Sequence, residues 1–377
     1  MTQLYLIRHT QAEGNRYRMM QGHWDGDITS LGKEQIEALS RRFENIPIDA
    51  VYASDLTRAV LTAKGIADRK GLPVLKDPRL RELDLGPWES QFFGNIRHNF
   101  PEESEVFMHD PGSWKIAGAE TAYDVIDRAY PALLEILDRH PDQSLAIVSH
   151  GVTIRCLLTR ILNLSFAPDE LLPIFQNTAV TKLLYDRGNF TVEYMGDASH
   201  LDNIIMPDWI SLGALRDEPF NPENDPFFYK ACYADAWKVS HQGSLERFDA
   251  NVYYEAAVRH HKKHPGAVQK LFDGETCVGL VDCDTERGAH ANYGWISLLY
   301  LTEDYRGKGY GVQAFARALV LYRNLGRRSI RLHAAATNEQ AVRFYEKHGF
   351  SILATEPGTV GQLYLMEKRL EGQKDVR

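Results

Sequence analysis

A chain of 377 residues is too long for one ordinary domain, and its length predicts two or more folded units. Hydrophobic residues make up 44% of the chain and charged residues 25%, an ordinary balance for a globular protein. The net charge of −8 argues against non-specific binding to nucleic acid, and no apolar run approaches the roughly 18 residues that a membrane-spanning helix needs.

The cysteines and the first residues bear on the location of the protein. The four cysteines form neither a CxxC pair nor the Cys/His spacing of a structural zinc site. The first predicted strand begins at Leu4, which leaves no room for a signal peptide before it. We therefore expect a cytoplasmic protein that binds no metal and has neither a membrane nor a nucleic acid as its partner.

Two short apolar runs each end in a histidine. Residues 4–10 read LYLIRHT, and residues 145–151 read LAIVSHG. Both runs are typical of buried strands in a parallel sheet, because they are short, partly β-branched and end at a turn signal. Ligands bind beyond the carboxyl ends of such strands, so we expect His9 and His150 to face one substrate.

A third predicted strand, residues 48–53, leads into an arginine at the start of a helix. Residues 54–59 read SDLTRA, in which Asp55 is the predicted N-cap and Arg58 falls in the first turn. Arg8 and Arg58, together with the two histidines, predict a cationic pocket for a dianion. Phosphate fits, because guanidinium groups bind its oxygens in pairs.

These motifs resemble those of the histidine phosphatase superfamily, which includes the cofactor-dependent phosphoglycerate mutases. The resemblance covers roughly residues 1–200 and implies a three-layer α/β domain with a mostly parallel sheet. Thr10 stands where many members have glycine. The matching motifs, in chain order, are RHT at 8–10, Asn15, Gln21-Gly22, TxxG at 29–32, SDLxRAxxTA at 54–63, Arg81-Glu82 and SHG at 149–151.

The resemblance also implies roles for single residues. His9 would be a nucleophile that forms a phosphohistidine, and Glu82 would protonate the leaving oxygen and then activate water. No metal is implied, and His23 and Trp24 are expected at the rim without a chemical role. The phosphoryl oxygens would be held by Arg8, Arg58 and His150, and the substrate-binding positions are Asn15, Gln21 and Gly22.

The segment after Glu82 bears on the reaction. It reads LDLGPWE, which looks like the phosphatase branch of the superfamily rather than the mutase branch. The resemblance therefore implies hydrolysis of a small-molecule phosphomonoester that the sequence does not identify.

A proline-rich segment separates the two halves of the chain. Predicted strands at 180–185 and 190–194 flank the turn DRGN, a hairpin that would close the first sheet. Residues 216–226 hold three prolines among polar residues and are typical of a linker or an extended lead-in. We expect a first domain at 1–205, a linker at 206–225 and a second domain at 226–377.

The second half carries a glycine-rich loop between a predicted strand and a helix. The strand, 294–301, follows predicted helices at 227–239 and 245–264 and predicted strands at 268–272 and 276–282. It runs into TEDYRGKGYG at 302–311, whose consecutive N–H groups would suit a pyrophosphate. The sequence lacks the acidic residue of a dinucleotide fold and the Gly-Lys-Ser/Thr of a Walker loop.

Instead, RGKGYG and the downstream segment TNEQAVRFYEKHGF at 337–350 resemble the GNAT acetyltransferases. The resemblance covers about 226–371 and implies an α+β domain with a mixed central sheet and acetyl-CoA as its cofactor. Tyr345 would be the catalytic proton donor to the departing thiolate. The cofactor-binding positions are Leu299, Leu301, Arg306, Gly307, Lys308, Gly309, Tyr310, Gly311 and Asn338.

Other features of the second half stay open. The sequence does not locate the first strand of the GNAT fold, and the general base is either Glu303 or a chain of waters. The acceptor is a small-molecule or peptide amine without a recognisable motif. The basic run HHKKH at 260–264 is expected to be a solvated helix end.

The two resemblances together predict a bifunctional enzyme, a metal-independent phosphomonoesterase followed by an N-acetyltransferase. In one alternative the GNAT domain is a non-catalytic sensor of acyl-CoA. In another the first domain transfers phosphate as a mutase does, and in a third the chain is a structural scaffold, which the intact catalytic set argues against. The sequence leaves the oligomeric state open, and it does not say whether the two sites share a metabolite.

Overall fold

The computed structural model of the protein describes residues 1–201 and 213–370, and each of these two ranges forms a compact unit. Within the described ranges, no helix is long and apolar enough to cross a membrane.

The first unit is built on a six-stranded sheet in the order β3-β2-β4-β1-β5-β6. The first four of these strands run parallel, and β5 and β6 form an antiparallel hairpin beside β1. The strands are β1 (Thr2–Arg8), β2 (Ala50–Ala53), β3 (Val74–Lys76), β4 (Ser144–Ser149), β5 (Val180–Asp186) and β6 (Asn189–Asp197). The helices are α1 (Glu13–Tyr17), α2 (Ser30–Arg42), α3 (Thr57–Lys70), α4 (Phe93–Asn99), α5 (Pro101–His109), α6 (Ala122–Arg139) and α7 (Gly151–Ile161).

Both faces of this sheet are buried. Leu4 and Leu6 of β1 point into a core shared with Leu133 of α6 and Leu157 of α7. Their neighbours Tyr5 and Ile7 point to the other face, where α2 and α3 pack. Burial on both sides explains why the strand reads as a continuous apolar run. The predicted three-layer α/β fold is confirmed.

The second unit has a seven-stranded mixed sheet in the order β12-β13-β11-β10-β9-β8-β7, in which only β10 and β11 pair in parallel. This agrees with the predicted α+β fold and mixed sheet. The strands are β7 (Arg216–Pro219), β8 (Val268–Asp273), β9 (Thr276–Asp284), β10 (Tyr293–Leu301), β11 (Ser329–Ala335), β12 (Ser351–Pro357) and β13 (Gln362–Arg369). The helices are α8 (Pro226–Ser240), α9 (Ala250–Lys263), α10 (Gly311–Asn324) and α11 (Glu339–Lys347).

Strand β7 lies where the sequence places a linker. Residues 216–219 pair with β8 as the edge strand of the sheet, a position that tolerates Pro219, and Phe220 beyond it is buried. This strand is the first strand of the second unit, which the sequence does not locate. Residues 206–212 of the predicted linker and 371–377 of the predicted second domain lie outside the described residues.

Candidate functional site

His9 directly follows β1 and is 2% exposed. Its Nδ1 lies 2.6 Å from the carbonyl oxygen of Thr10. A carbonyl oxygen only accepts hydrogen bonds, so Nδ1 carries the hydrogen and Nε2 keeps its lone pair. Burial lowers the pKa of His9 well below its usual range, and Arg58 and Arg8 lower it further. The imidazole is therefore neutral and has a free electron pair on Nε2.

His150 lies beside His9 because β1 and β4 are neighbouring parallel strands with Arg8 opposite Ser149. The two ring centroids are 5.1 Å apart. His150 is fully buried, and neither of its ring nitrogens has a hydrogen-bond partner among the described residues. Burial is the largest cause that lowers the pKa of His150, followed by the positive charge of Arg58. The two histidines therefore lie next to each other, as the sequence predicts.

Two buried arginines approach the histidine pair. Arg58 lies in the first turn of α3 and donates to the carbonyl oxygens of Gly22 at 2.7 Å and Trp24 at 3.1 Å. Arg8 donates to the carbonyl oxygen of Phe175. The Nε atoms of both arginines are buried without a partner in the part of the chain that the structure describes. Burial lowers the pKa of Arg8 to about 10, which leaves it charged at neutral pH.

Arg8 reaches its position because residue 151 has no side chain. A Cβ atom at Gly151 would lie 3.3 Å from Nε of Arg8 and 2.9 Å from Cγ2 of Ile174. The glycine of the SHG motif therefore allows the first turn of α7 to pack against the guanidinium group.

The predicted N-cap at Asp55 is wrong. Helix α3 begins at Thr57, and its N-cap residue Leu56 gives no side-chain cap. Asp25 supplies the cap from a distant loop, since its carboxylate accepts from the Thr57 N–H at 2.9 and 3.0 Å and from the Thr57 hydroxyl at 2.7 Å. Asp55 instead forms a two-bond ion pair with Arg81. Arg58 nevertheless lies where the sequence places it.

The carboxylate of Glu82 reaches the start of α7. Oε1 accepts hydrogen bonds from the Leu83 N–H and the Thr153 N–H, and Oε2 accepts from the Val152 N–H at 3.2 Å. The Thr153 hydroxyl donates to the Arg81 carbonyl at 2.7 Å and lies 3.2 Å from Oε1. Glu82 is 9% exposed. Oε2, which has a single described donor, is the carboxylate oxygen with room for a proton.

The loop at 21–24 borders this centre. Oε1 of Gln21 accepts from the Gly14 N–H at 3.1 Å, and its Nε2 has no described partner. A Cβ atom at Gly22 would lie 2.2 Å from both a Glu89 oxygen and the Leu83 carbonyl, so only glycine fits there. Oδ1 of Asn15 is occupied by the Ala12 N–H.

In the second unit, the glycine-rich loop leads directly into α10. Gly307 and Gly309 have φ angles of +72° and +91°, which glycine adopts without strain. A Cβ atom at Gly311 would lie 3.2 Å from the ring of Phe344, so this glycine also serves packing of α11. The Arg306 guanidinium group donates hydrogen bonds to the Leu301 carbonyl oxygen and to the Asp235 carboxylate. Lys308 is exposed, and Tyr310 packs against Tyr305 with ring centroids 5.1 Å apart.

The two parallel strands of this unit, β10 and β11, diverge before the loop at 306–311. β10 and β11 are paired only from Tyr293 with Ser329 to Ile296 with Leu332. A register shift between Ile296 and Leu298 marks the point of divergence on β10. Beyond it, Leu299 and Leu301 pair with β9 on their other side and not with β11. The sheet therefore opens in its middle, next to the loop at 306–311.

The other predicted residues of the second unit lie on α11. Asn338 is its N-cap and accepts from the Ala341 N–H at 3.1 Å, while its Nδ2 faces Ser240 at 3.4 Å. Tyr345 packs between Phe344 and Phe350, with ring centroids 5.4 Å away in both cases. Burial raises the pKa of Tyr345 to about 12, so its hydroxyl keeps its proton. No described residue forms a hydrogen bond with that hydroxyl.

The family model described as "Histidine phosphatase superfamily (branch 1)" matches residues 4–198. The chain belongs to the histidine phosphatase superfamily. A second model, "Acetyltransferase (GNAT) family", matches residues 228–350, so the same chain carries a GNAT domain. Both predicted resemblances are confirmed.

Individual relatives differ in the activity that their names state. The probable phosphoglycerate mutase GpmB of Enterobacter sp. is 30% identical over 207 residues, covering 54% of this chain and 96% of that protein. Phosphoserine phosphatase 1 of Hydrogenobacter thermophilus is 31% identical over 167 residues, covering 44% of this chain and 79% of that protein. The solved structure of Bacillus stearothermophilus YhfR is 33% identical with a TM-score of 0.52, covering 54% of this chain and 100% of that one.

Three supporting residues of the first unit are not among those that the sequence predicts for the site. Glu89 accepts from the N–H groups of residues 22, 23, 24 and 85 and so holds the loop whose carbonyls bind Arg58. Arg128 of α6 donates to the carbonyls of residues 79, 81 and 82. Asn177 donates to the His9 carbonyl at 2.8 Å. Apart from residue 85, their partners are distant in sequence, so no local pattern marks them.

Proposed function

We propose that the first unit hydrolyses a phosphomonoester through a phosphohistidine at His9. The observation that carries this proposal is the neutral His9 ring, whose hydrogen is held on Nδ1 by Thr10 and whose Nε2 is free to attack phosphorus. Buried Nε atoms of Arg8 and Arg58 and the unpaired nitrogens of His150 surround it. An unpaired buried polar group costs about 1–3 kcal/mol, which a bound phosphoryl group would relieve.

Glu82 is the proposed acid and base. A proton on Oε2 passes to the leaving oxygen as Nε2 of His9 forms its bond to phosphorus, and the alcohol departs. The resulting carboxylate then takes a proton from water, whose oxygen attacks the phosphohistidine and releases phosphate. The three N–H donors around Glu82 come from its own loop and from the start of α7, so they hold the carboxyl group in one orientation.

The test of this proposal is chemical trapping. Wild-type protein incubated with phosphoserine and quenched in alkali should carry phosphate on His9, and His9→Ala should carry none and lose activity. EDTA should leave the rate unchanged, because arginine and histidine side chains supply the positive field. Strict dependence on a divalent ion would overturn the proposal. Conversion of one phosphoglycerate isomer to another, in place of phosphate release, would favour the mutase alternative.

We propose that the second unit transfers an acetyl group from acetyl-CoA to an amine. Acetyl-CoA is the cofactor that GNAT domains use in general, and it would supply the activated acyl carbon when bound. Two features of this chain suit the binding of acetyl-CoA. The loop directly before the α10 N-terminus has glycines at 307 and 309 with positive φ angles, a backbone type that can present consecutive N–H groups to a pyrophosphate. The opening between β10 and β11 leaves an extended strand edge at 298–301, which suits a linear arm.

Among the predicted cofactor residues, the structure favours backbone over side chains. Arg306 and Asn338 are engaged in contacts within the unit, whereas the loop backbone and the β10 edge remain available. Tyr345 is the proposed proton donor to the leaving sulfur, because it holds its proton at neutral pH and has a free hydroxyl. Calorimetry with acetyl-CoA tests the binding step, and release of free CoA with a panel of amines tests transfer. Binding without transfer to any amine would favour the sensor alternative.

We further propose that the two activities reside in separately folding domains. The two units have their own cores, one on each sheet. Fragments 1–208 and 209–377 should therefore each show cooperative unfolding, and the first should retain phosphatase activity. An insoluble or inactive first fragment would contradict this.

A further inference from the structure

An ionisable pair lies where the two parallel strands of the second unit diverge. His333 is the first residue of β11 beyond its last pairing with β10, Ile296 with Leu332. Nε2 of His333 lies 3.0 Å from Oε2 of Glu356 on β12. The side chains of His333 and Glu356 are 25% and 43% exposed, so both can be reached from solvent.

The surroundings hold the His333 ring in one orientation. The ring of Trp295 packs edge-on against it, with centroids 4.8 Å apart and an interplanar angle of 85°. Glu356 can only accept a hydrogen bond when it is ionised, so a neutral His333 carries its hydrogen on Nε2 and its lone pair on Nδ1. No described residue occupies Nδ1.

Burial favours the neutral form of the His333 ring. Burial lowers the pKa of His333 below its usual value of 6.5, Glu356 opposes this shift, and Arg287, which stacks on Trp295, adds to it. The other charged groups nearby on β11 and β13, Arg331 and Glu367, form their own ion pair at 2.8 Å.

The position of the pair follows from the direction of β10. An arm bound along residues 298–301 with its phosphate end at 306–311 points its far end toward residues 296–298. That end of the opening adjoins His333, because Leu332 pairs with Ile296. Glu303, the base suggested by the sequence, lies beyond the opposite end of the strand in an exposed turn.

We propose that His333 is the catalytic base of the acetyl transfer and that Glu356 is its positioning residue. The proposal rests on the proposed function of the second unit. Nδ1 of His333 takes one proton from a neutral amine as the nitrogen electron pair forms the C–N bond. The C–S bond breaks, the sulfur receives the Tyr345 proton, and solvent returns the proton from His333 to Tyr345.

The test combines binding, kinetics and titration on the full chain. His333→Gln should lower kcat/KM roughly 100-fold or more and remove the His333 ionisation from the acid limb of its pH profile, leaving that of the amine, while the Kd for acetyl-CoA in calorimetry stays unchanged. The amine is the best wild-type substrate from a panel of a polyamine, an arylalkylamine, an amino sugar and a lysine peptide. His290→Gln, at an exposed histidine of the same unit, is the matched control and should behave as wild type.

Imidazole NMR of the free protein gives a readout independent of turnover. His333 should titrate below 6.5 in wild type and lower still in Glu356→Gln, because Glu356 opposes the downward shift. Glu356→Gln should also reduce kcat with little effect on the KM for acetyl-CoA.

The outcomes separate the two proposals. Full activity and an unchanged pH profile in His333→Gln, with binding intact, would overturn the assignment of the base alone. Absence of acetyl-CoA binding in wild type would overturn the function of the unit, and the base with it. Binding with no turnover of any amine would also count against a catalytic base.

Discussion

Arg81 donates two hydrogen bonds of 2.6 Å to Asp55, one from Nε to Oδ1 and one from Nη2 to Oδ2. This pair joins the loop after β2 to the residue that precedes Glu82. It lowers the pKa of Asp55 and ties the segment that carries the proposed acid to the segment that carries Arg58. The segments that carry Arg58 and Glu82 are thus linked outside the candidate site itself.

Asp55→Asn should therefore disturb catalysis more than stability. The pair is partly exposed, so its loss should cost about 1 kcal/mol or less of unfolding free energy. The kcat/KM for alkyl phosphates should fall several-fold as Glu82 loses its orientation. Asp77→Asn is the matched control, because Asp77 forms an ion pair with Arg79 on the same loop. Equal effects of both changes would contradict a specific link to Glu82.

Glu82→Gln should slow substrates according to their leaving groups. The glutamine oxygen can keep the hydrogen bond from the Thr153 N–H, but the NH2 group cannot accept from the Val152 N–H and delivers no proton to the leaving oxygen. Alkyl phosphates should therefore lose roughly 100-fold or more while aryl phosphates lose far less. Steady-state rates on phosphoserine and p-nitrophenyl phosphate measure this difference. Glu89→Gln, in contrast, should loosen the loop that binds Arg58 and slow both substrates alike. A uniform loss in Glu82→Gln would assign the acid elsewhere.

Gly309→Asp should weaken acetyl-CoA binding sharply. It places a negative charge ahead of the helix N-terminus and a side chain at φ +91°, a conformation that residues other than glycine rarely adopt.

Tyr345→Phe should leave acetyl-CoA binding nearly intact and reduce turnover, because only the proton donor is lost. Calorimetry and CoA release separate the two effects. Phosphatase activity should be unchanged in both variants, and its loss would indicate global unfolding.

The stability of the second unit should depend on pH through His260. This residue belongs to the basic run that the sequence places on a solvated helix end, but it is buried between Asp282 at 2.7 Å and Asp284 at 3.3 Å. The prediction for this residue is wrong, because its carboxylate partners lie on β9, 22 and 24 positions along the chain. Tyr229 completes the network with a hydrogen bond of 2.7 Å to Asp282.

The direction of the effect follows from two pKa shifts. The aspartates raise the pKa of His260 to about 9, so its stabilising charge is fully present below 6.5 and lost as pH rises through 9. Hydrogen bonding to His260 lowers the pKa of Asp284 to about 2, so its contribution is present above 3.8 and lost as pH falls through 2. In denaturant unfolding of the full chain, the unfolding free energy of the second unit should decrease from pH 6.5 to 9.5. His260→Gln should remove this slope, and His290→Gln should retain it.

Local sequence patterns predicted the residues of the candidate site that come directly after a buried strand. His9 and His150 were predictable because a buried parallel strand leaves an apolar signature and places the next residue at the sheet edge. Three other features were not predictable, because each joins segments that only folding brings together. They are the capping of α3 by Asp25, the hydrogen bonds of Glu89 to residues 22–24, and the ion pairs of His260. Asp55 shows the same limit, because a plausible local cap was displaced by a stronger ion pair with Arg81.

The divergence of β10 and β11 also leaves little pairing in the middle of the sheet of the second unit. Four residue pairs join the two strands, whereas seven join β11 to β13 on one side. A linear occupant hydrogen-bonded along 298–301 would use the β10 backbone groups that face the opening, so slower hydrogen exchange of those amides would report occupancy directly.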